Sequence, residues 1–263
     1  MNWNRVLGRV SFVNCDPLFH GISDKWGVLP APPSWLTGHV LKKDCLVAPI
    51  PTAAYAEHHS DLILLPDICI GSDGEVGSVL LFSNKDLSDI KDIALPTDSS
   101  TSTKLVMYVL EKHGITPNPI EMGPDLSHML DICDAALLIG DRALDEANRF
   151  PELVKLDLGS EWKRITGLPM VFAVFAALNT EDKHMLNMAH NELLDNAIKF
   201  KQDMNYKQSV IDYTTSRSGF NRERVLKYFG EVTNILDNNH RKGLELFLKN
   251  VCNLSEPVNW LEK

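Results

Sequence analysis

The chain has 263 residues, 44% of them hydrophobic and 23% charged, which is enough apolar material for one large domain or two domains of ordinary size. A formal net charge of −9 argues against a nucleic-acid partner, because binding a phosphate backbone requires a basic surface. There is no apolar segment of the roughly 20 residues that a bilayer requires and no signal-peptide pattern, so the sequence predicts a cytoplasmic protein without a membrane partner.

The first third of the chain predicts three short strands, at 9–14, 45–50 and 62–65. The first strand ends near Asn14, and Pro17 suits the first turn of a helix that Asp16 caps. A second helix is expected to begin at Thr52, which could cap it. The proline-rich segment 27–38 is expected to be an extended connection.

The rest of the chain continues the alternation of strands and helices. A glycine-punctuated loop from residue 68 leads into an apolar strand, and further strands are expected at 93–95, 135–139 and 168–178. Helices are expected at 104–113, from about Ala143, at 182–201, and as a pair within 223–251. This alternation is typical of parallel βαβ units. The two apolar runs 78–82 and 170–178 are either core strands of a single sheet or segments that cross between two lobes.

The segment 97–103 (TDSSTST) has six hydroxyl groups between a strand and a helix. Hydroxyls and free N–H groups at a helix N-terminus can bind an anion, although a plain N-cap needs only one of these side chains. The turn Gly71–Ser78 is a second polar segment, either a ligand-binding turn or a tight connection. Asn14 and Gly140-Asp141 follow predicted strands, where α/β sheets bind ligands, but turn and capping roles fit them equally.

Several other kinds of site lack their sequence patterns. The glycines at 71, 74 and 77 do not form a dinucleotide-binding motif, and neither a P-loop nor a nucleophile elbow occurs. The histidines form no metal-binding pattern. An odd number of scattered cysteines favours buried thiols in a reducing compartment, at Cys15, Cys45, Cys69, Cys133 and Cys252. We therefore expect neither a metal nor a cofactor.

Five segments, taken in order, resemble the chorismate dehydratase family of menaquinone biosynthesis. They are RVSFVNCDPL (9–18), LPDICIGSDGEVGSVLLFS (65–83), DSSTSTKL (98–105), DAALLIGDRAL (134–144) and LDLGSEWKRITGLPMVFAVF (156–175). The sister family, 1,4-dihydroxy-6-naphthoate synthase, begins with a segment like HSPCPND, whereas residues 11–17 here contain no histidine. Cys15 stands where the family has a small residue such as Thr or Ser.

The resemblance implies an α/β fold of the two-lobed periplasmic-binding-protein type II, with a ligand cleft between the lobes. One lobe would comprise 1–82 plus 176–263, and 83–175 would form the inserted lobe. Closure over the ligand would bend the chain near 82–84 and 172–177. The resemblance leaves the oligomeric state open.

The implied activity is a carbon–oxygen lyase (dehydratase) reaction on chorismate, a cyclic dicarboxylate, in the futalosine route to menaquinone. Asn14 would contact the reacting region, and the proton acceptor would be Asp141 or the substrate's own enolpyruvyl carboxylate. The residues implied for substrate binding are Arg9, Ser72, Gly77, Ser78, Ser99, Ser100, Thr101, Ser102, Gly140 and Thr166. Alternatives are a non-catalytic cytosolic protein that binds a small carboxylate, the sister synthase, or a relative acting on another anionic ring.

Overall fold

The computed structural model describes residues 2–262, which form two α/β lobes. The strands are β1 (Val6–Val10), β2 (Gly27–Ala31), β3 (Ala48–Pro51), β4 (Leu62–Ser72), β5 (Val79–Ser83), β6 (Asp92–Pro96), β7 (Asn118–Met122), β8 (Ala135–Ile139), β9 (Val154–Asp157), β10 (Met170–Leu178) and β11 (Thr233–Ile235). The α-helices are α1 (Asp16–Phe19), α2 (Pro33–Leu41), α3 (Thr52–Glu57), α4 (Ser100–Lys112), α5 (Leu126–Ile132), α6 (Gly140–Arg149), α7 (Leu158–Thr166), α8 (Lys183–Gln202), α9 (Met204–Ser218), α10 (Arg222–Glu231) and α11 (Asn238–Asn250).

The first lobe is built on a sheet with the order β11-β4-β10-β3, which the parallel pair β1 and β2 extends. A parallel bridge between Leu7 and Val47 connects the β1–β2 pair to the four-stranded sheet, and the Gly8 N–H donates to the Val47 carbonyl at 2.7 Å. Helices α2, α3, α8 and α11 pack against this sheet and bury its apolar residues.

The second lobe is built on the sheet β7-β6-β8-β5-β9, and both faces of this sheet are covered. Because side chains alternate along a strand, Leu80 and Phe82 of β5 contribute to one apolar cluster, which includes Met129 of α5. Val79 and Leu81 join the main core on the other side. Central strands buried on both faces are apolar at nearly every position, which is why the sequence predicts β5, β6 and β8 but not the edge strands β7 and β9.

The chain crosses between the lobes twice. It leaves the first sheet after β4, enters the second at β5, and returns after β9 through α7 to β10. Strands β5 and β10 run antiparallel to their neighbours, whereas β1–β2, β6–β7 and β6–β8 are parallel. The expectation of parallel units is therefore wrong for β5 and β10, because each enters its sheet from the other lobe rather than through a local crossover, and it is also wrong for β11, which pairs antiparallel with β4.

The division of the chain at residues 82 and 175 remains a proposal. Residue 82 lies inside β5, which belongs to the second sheet, and residue 175 lies inside β10, which belongs to the first sheet. We therefore propose that the crossings, and any hinge, lie at 73–78 and 158–169 rather than near 82–84 and 172–177.

Several local predictions are wrong. Strand β1 ends at Val10, and Asn14 lies in a 3₁₀ helix, Val13–Cys15. The segment 27–38 contains β2 and the start of α2, and β4 continues through what the sequence suggested was a loop. Neither Asp16 nor Thr52 caps a helix: the Asp16 carboxylate pairs with two arginines, and the Thr52 hydroxyl donates to the Val171 carbonyl at 2.8 Å. The sequence does not predict helices α5, α7 and α9 or strand β11.

The cysteines are free thiols. Four of them are buried, as predicted, whereas Cys252 is half-buried. Burial raises the pKa of the Cys15 and Cys45 thiols to about 12, so both stay protonated at neutral pH. Within residues 2–262, no helix combines the length and apolarity that a membrane span requires.

Candidate active site

A narrow cleft lies between the lobes and is partly open to solvent. Its walls are mostly apolar, and among the described residues that line it none carries a charged side chain. The polar side chains that line it are those of Asn14, Ser78, Ser99, Ser102 and Tyr228. A largely apolar cavity with a few convergent polar groups is typical of a small-molecule site.

Asn14 projects into the cleft from the first lobe. The 3₁₀ helix that contains it follows β1, and the Asn234 side-chain amide supports it by donating to the Asn14 carbonyl at 3.2 Å. Asn14 is 8% exposed, and its Oδ1 has no hydrogen-bond partner within the described chain. Leaving a buried amide unpaired costs about 1–3 kcal/mol, so this group is available to pair with a ligand.

The second lobe contributes the N-terminus of α4. Ser99 is the N-cap: its Oγ accepts from the Ser102 N–H at 3.3 Å and donates to the Ser102 Oγ at 2.8 Å. The capping interpretation is therefore confirmed for Ser99. The hydroxyl proton of Ser102 can still be donated into the cleft. Ser100 is half-buried outside the lining, and the buried Thr101 Oγ1 accepts from the Ala53 N–H at 3.0 Å.

Within the turn Gly71–Ser78, Val76 and Ser78 reach the cleft. The Ser78 Oγ lies 3.0 Å from the Tyr228 hydroxyl. Ser72 is fully buried and donates to the Gly74 carbonyl at 2.9 Å. The Gly77 N–H donates to the Asp157 carboxylate at 2.7 Å. Most of the turn's polar groups therefore stabilise the turn itself.

Arg9 and Thr166 lie outside the cleft lining. The Arg9 guanidinium pairs with the fully buried Asp16 carboxylate, which also accepts from Arg217 Nη2 at 2.6 Å and from the Thr214 hydroxyl at 2.7 Å. Asp16, the carboxylate of this cluster, lies two residues after Asn14 in sequence. Thr166 donates to the Trp162 carbonyl at 2.7 Å, at the end of α7.

Asp141 joins the two lobes. It is the second residue of α6, and its Oδ1 accepts from the Val13 N–H at 3.0 Å, next to Asn14. Burial raises the pKa of Asp141 to about 6, against the lowering effects of the Val13 N–H and of Arg217. The bond from Ala53 to Thr101 crosses between the lobes in the same way. Two residues expected to contact substrate, Asp141 and Thr101, thus connect the walls of the cleft.

Gly140 lines the cleft in a conformation that favours glycine. Its φ is +61°, its N–H donates to the Ser78 carbonyl at 2.7 Å, and a Cβ here would lie 2.4 Å from the Phe12 ring. Phe12 therefore packs directly on the Gly140 backbone and closes one side of the cleft.

We expect Gly140→Ala to lower the free energy of unfolding by about 1–3 kcal/mol, because the methyl group requires both a strained backbone and a shift of Phe12. Urea unfolding measures this change. Gly38→Ala in α2 is the control, since nothing lies within 4 Å of its Cβ position, and it should be neutral or stabilising. Equal stability of both variants would contradict this account of Gly140.

The sequence did not reveal the apolar walls or Tyr228. Phe12, Ile70 and Phe172 belong to segments that look like ordinary core, and each contacts the cleft only because the lobes face each other. Tyr228 comes from α10, 150 residues after Ser78. No local pattern marks such a residue, because its role depends on tertiary packing alone.

A family model described as menaquinone biosynthesis matches residues 6–252 of this chain. A chorismate dehydratase from Thermus thermophilus is 33% identical over 187 residues, which is 65% of this chain and 69% of that protein.

Solved structures with low sequence identity share the fold. A protein from Archaeoglobus fulgidus has a TM-score of 0.72 at 19% identity, covering 91% of this chain and 93% of that one. An alkanesulfonate-binding protein from Xanthomonas axonopodis pv. citri has a TM-score of 0.68 at 13% identity, with coverages of 97% and 95%. A Candida albicans protein described as having the generic periplasmic binding protein fold has a TM-score of 0.67 at 13% identity, with the same coverages. The predicted fold class is thus confirmed.

Proposed function

The chain belongs to the menaquinone-biosynthesis family that includes chorismate dehydratase, and on that premise we propose that it converts chorismate to 3-[(1-carboxyvinyl)oxy]benzoate and water. The observation that carries this proposal is the buried Oδ1 of Asn14, which has no partner within residues 2–262 and lies in a cleft whose other polar side chains are neutral hydroxyls. We further propose a cytoplasmic enzyme of the carbon–oxygen lyase class that works without a cofactor and supplies the futalosine route.

The proposed reaction is an elimination. The proton at C3 of the ring is removed, its electron pair forms the new C3–C4 double bond, and the C4–oxygen bond breaks. The departing hydroxide and the proton together make water, and the ring becomes aromatic. Because aromatisation favours the products strongly, the protein has to orient the ring, exclude bulk water and support one proton transfer.

The absence of charged side chains from the described cleft lining favours the substrate's own carboxylate as the base. A carboxylate without a cationic partner in apolar surroundings is destabilised, which makes it more basic. The enolpyruvyl carboxylate of chorismate would be in that situation in this cleft, with one neutral hydroxyl as its donor and with Phe12, Ile70 and Phe172 beside it. It could take the C3 proton and hand it to the departing hydroxyl, so that no side chain has to change protonation state.

The neutral donors then hold the substrate. Ser102, at the N-terminus of α4, binds one carboxylate, and the helix dipole supports it. Ser78 binds the other carboxylate, and Asn14 contacts the reacting hydroxyl or the ether oxygen. The remaining residues that the resemblance implied contribute indirectly, because their polar atoms are used within the protein or lie outside the cleft lining; these are Arg9, Ser72, Gly77, Ser100, Thr101 and Thr166.

We expect Asp141→Asn to retain turnover within about threefold, because an amide oxygen can still accept from the Val13 N–H. Since the carboxyl pKa is raised to about 6, wild-type stability falls as pH rises from about 4 to 6 and stays lower above that range. Asp141→Asn has no carboxyl group to ionise at this position, so its free energy of unfolding at pH 7 should be higher than that of the wild type by about 1–3 kcal/mol.

Steady-state kinetics and urea unfolding at pH 4 and pH 7 test both parts of this prediction. Asp145→Asn is the control, because it makes the same change at an exposed position of α6 and should affect neither quantity. Loss of turnover in Asp141→Asn with chorismate binding intact would instead identify the Asp141 carboxylate as the proton acceptor.

Mass spectrometry of chorismate incubated with the purified protein tests the proposed function. We expect catalytic conversion to a product that has lost one water. Tight binding of chorismate in calorimetry without any product would support a non-catalytic carboxylate-binding protein. If chorismate neither bound nor reacted, the sister synthase or a related enzyme acting on another anionic ring would be the better assignment.

A further inference from the structure

We propose that Tyr228 is a positioning residue that orients the Ser78 hydroxyl toward the ligand in the cleft. This inference rests on the proposed function, because it concerns how the same cleft holds the substrate. Tyr228 is 1% exposed and lines the cleft, and its hydroxyl lies 3.0 Å from the Ser78 Oγ. Ser78 is itself only 3% exposed.

The backbone of Ser78 is held in place, so its hydroxyl proton is the part that remains to be oriented. The Ser78 carbonyl accepts from the Gly140 N–H at 2.7 Å, which ties this residue to the start of α6. A serine hydroxyl has one proton to donate and can accept two hydrogen bonds. If the Tyr228 hydroxyl donates to the Ser78 Oγ, the Ser78 proton is directed to the ligand instead of to the tyrosine.

The chemistry of the tyrosine favours this direction. Burial raises the pKa of Tyr228 above its ordinary value, so the phenol remains neutral and keeps its proton. Among the charged groups around it, the Arg224 guanidinium lies 5.7 Å from the ring centroid. A neutral phenol can donate to Ser78 and still leave the cleft free of formal charge.

Helix α10 is fixed to the segment that contains Ser78. Arg224 Nη2 donates to the Gly77 carbonyl at 3.4 Å, and Lys227 pairs with Glu75 at 3.5 Å. A Cβ on Gly77 would lie 2.2 Å from the Glu231 carboxylate, so the helix and this turn are in close contact. Because the segment 73–78 crosses between the lobes, α10 holds the Ser78 hydroxyl in a defined position relative to both.

A double-mutant cycle tests this role, with Tyr228→Phe, Ser78→Ala and the double variant assayed on chorismate. The phenylalanine keeps the buried ring and removes only the hydroxyl. We expect Tyr228→Phe to lower kcat/KM about 10-fold, and Ser78→Ala to lower it about 100-fold. The double variant should be no worse than Ser78→Ala, because Tyr228 acts through Ser78. Tyr108→Phe on α4 is the control for removal of a tyrosine hydroxyl outside the cleft lining.

Other outcomes would overturn the inference. Unchanged kcat/KM in Tyr228→Phe would exclude the role, and multiplicative losses in the double variant would mean that Tyr228 acts independently of Ser78. If Tyr228 had a purely structural role, Tyr228→Phe would lower kcat/KM by the same factor in the wild type and in Ser78→Ala. If the wild type binds chorismate but does not convert it, the proposed function fails. The role of Tyr228 is then tested separately, by measuring the chorismate affinity of the same variants by calorimetry. If chorismate does not bind, both proposals fail.

Discussion

Replacing Asn14 by alanine is expected to lower kcat for chorismate by about 10²–10³-fold, the usual loss when an oriented donor to the reacting atoms is removed. Asn14 is the polar side chain in the cleft with a buried oxygen that has no partner in residues 2–262. Its amide can donate to the leaving hydroxyl or the ether while its oxygen accepts from the substrate. The other polar side chains that line the cleft are hydroxyls that already have a partner within the protein.

The same substitution should leave the free enzyme as stable as the wild type, or more stable by up to about 3 kcal/mol, because it removes a polar group that is unpaired before substrate binds. Kinetics with chorismate and urea unfolding measure the two effects. Asn239→Ala, at an exposed position of α11, is the matched control. An Asn14→Ala enzyme with undiminished turnover would contradict the central role of this residue.

Replacing Asp16 by asparagine is expected to lower the free energy of unfolding by about 3–5 kcal/mol. The Asp16 carboxylate is fully buried and accepts from Arg9, Arg217 and Thr214. Asparagine has nearly the same shape but cannot balance two guanidinium groups, whose side chains are 14% and 27% exposed. The cost of the substitution is therefore the cost of leaving two partly buried positive charges uncompensated.

Thermal and urea unfolding of Asp16→Asn measure this loss. Asp86→Asn, at an exposed position with no capping hydrogen bond, is the control and should change stability by less than about 0.5 kcal/mol. A loss below about 1 kcal/mol for Asp16→Asn would mean that the cluster is well solvated, contrary to its burial.

Prediction of the fold from sequence worked best where burial is complete. Strands β6 and β8 are apolar at nearly every position because helices cover both faces of their sheet, and short apolar runs between polar turns mark such strands. Prediction failed at β2, which lies at the edge of its sheet and has two prolines in or next to it. The sequence also predicted parallel pairing for β5 and β10, whose antiparallel pairing depends on how the chain crosses between the lobes.

The candidate site could be predicted in part. Asn14, Ser78, Ser99, Ser102 and Gly140 line the cleft, since strand ends and helix starts of the two lobes meet there. Arg9, Ser72 and Thr101 have the right chemistry, but each is engaged by a partner elsewhere in the protein. The sequence shows which groups can bind a ligand, whereas competition between internal and ligand hydrogen bonds depends on tertiary contacts.

The most direct test of the proposed activity is a proton NMR time course of chorismate with the purified protein, run beside Asn14→Ala. We expect the ring signals of a 3-substituted benzoate to appear while the vinyl protons of the enolpyruvyl group persist, and we expect this change to be slowed strongly in the variant. Unchanged chorismate with the wild type, or loss of the vinyl protons as the ring becomes aromatic, would contradict the assignment as a chorismate dehydratase.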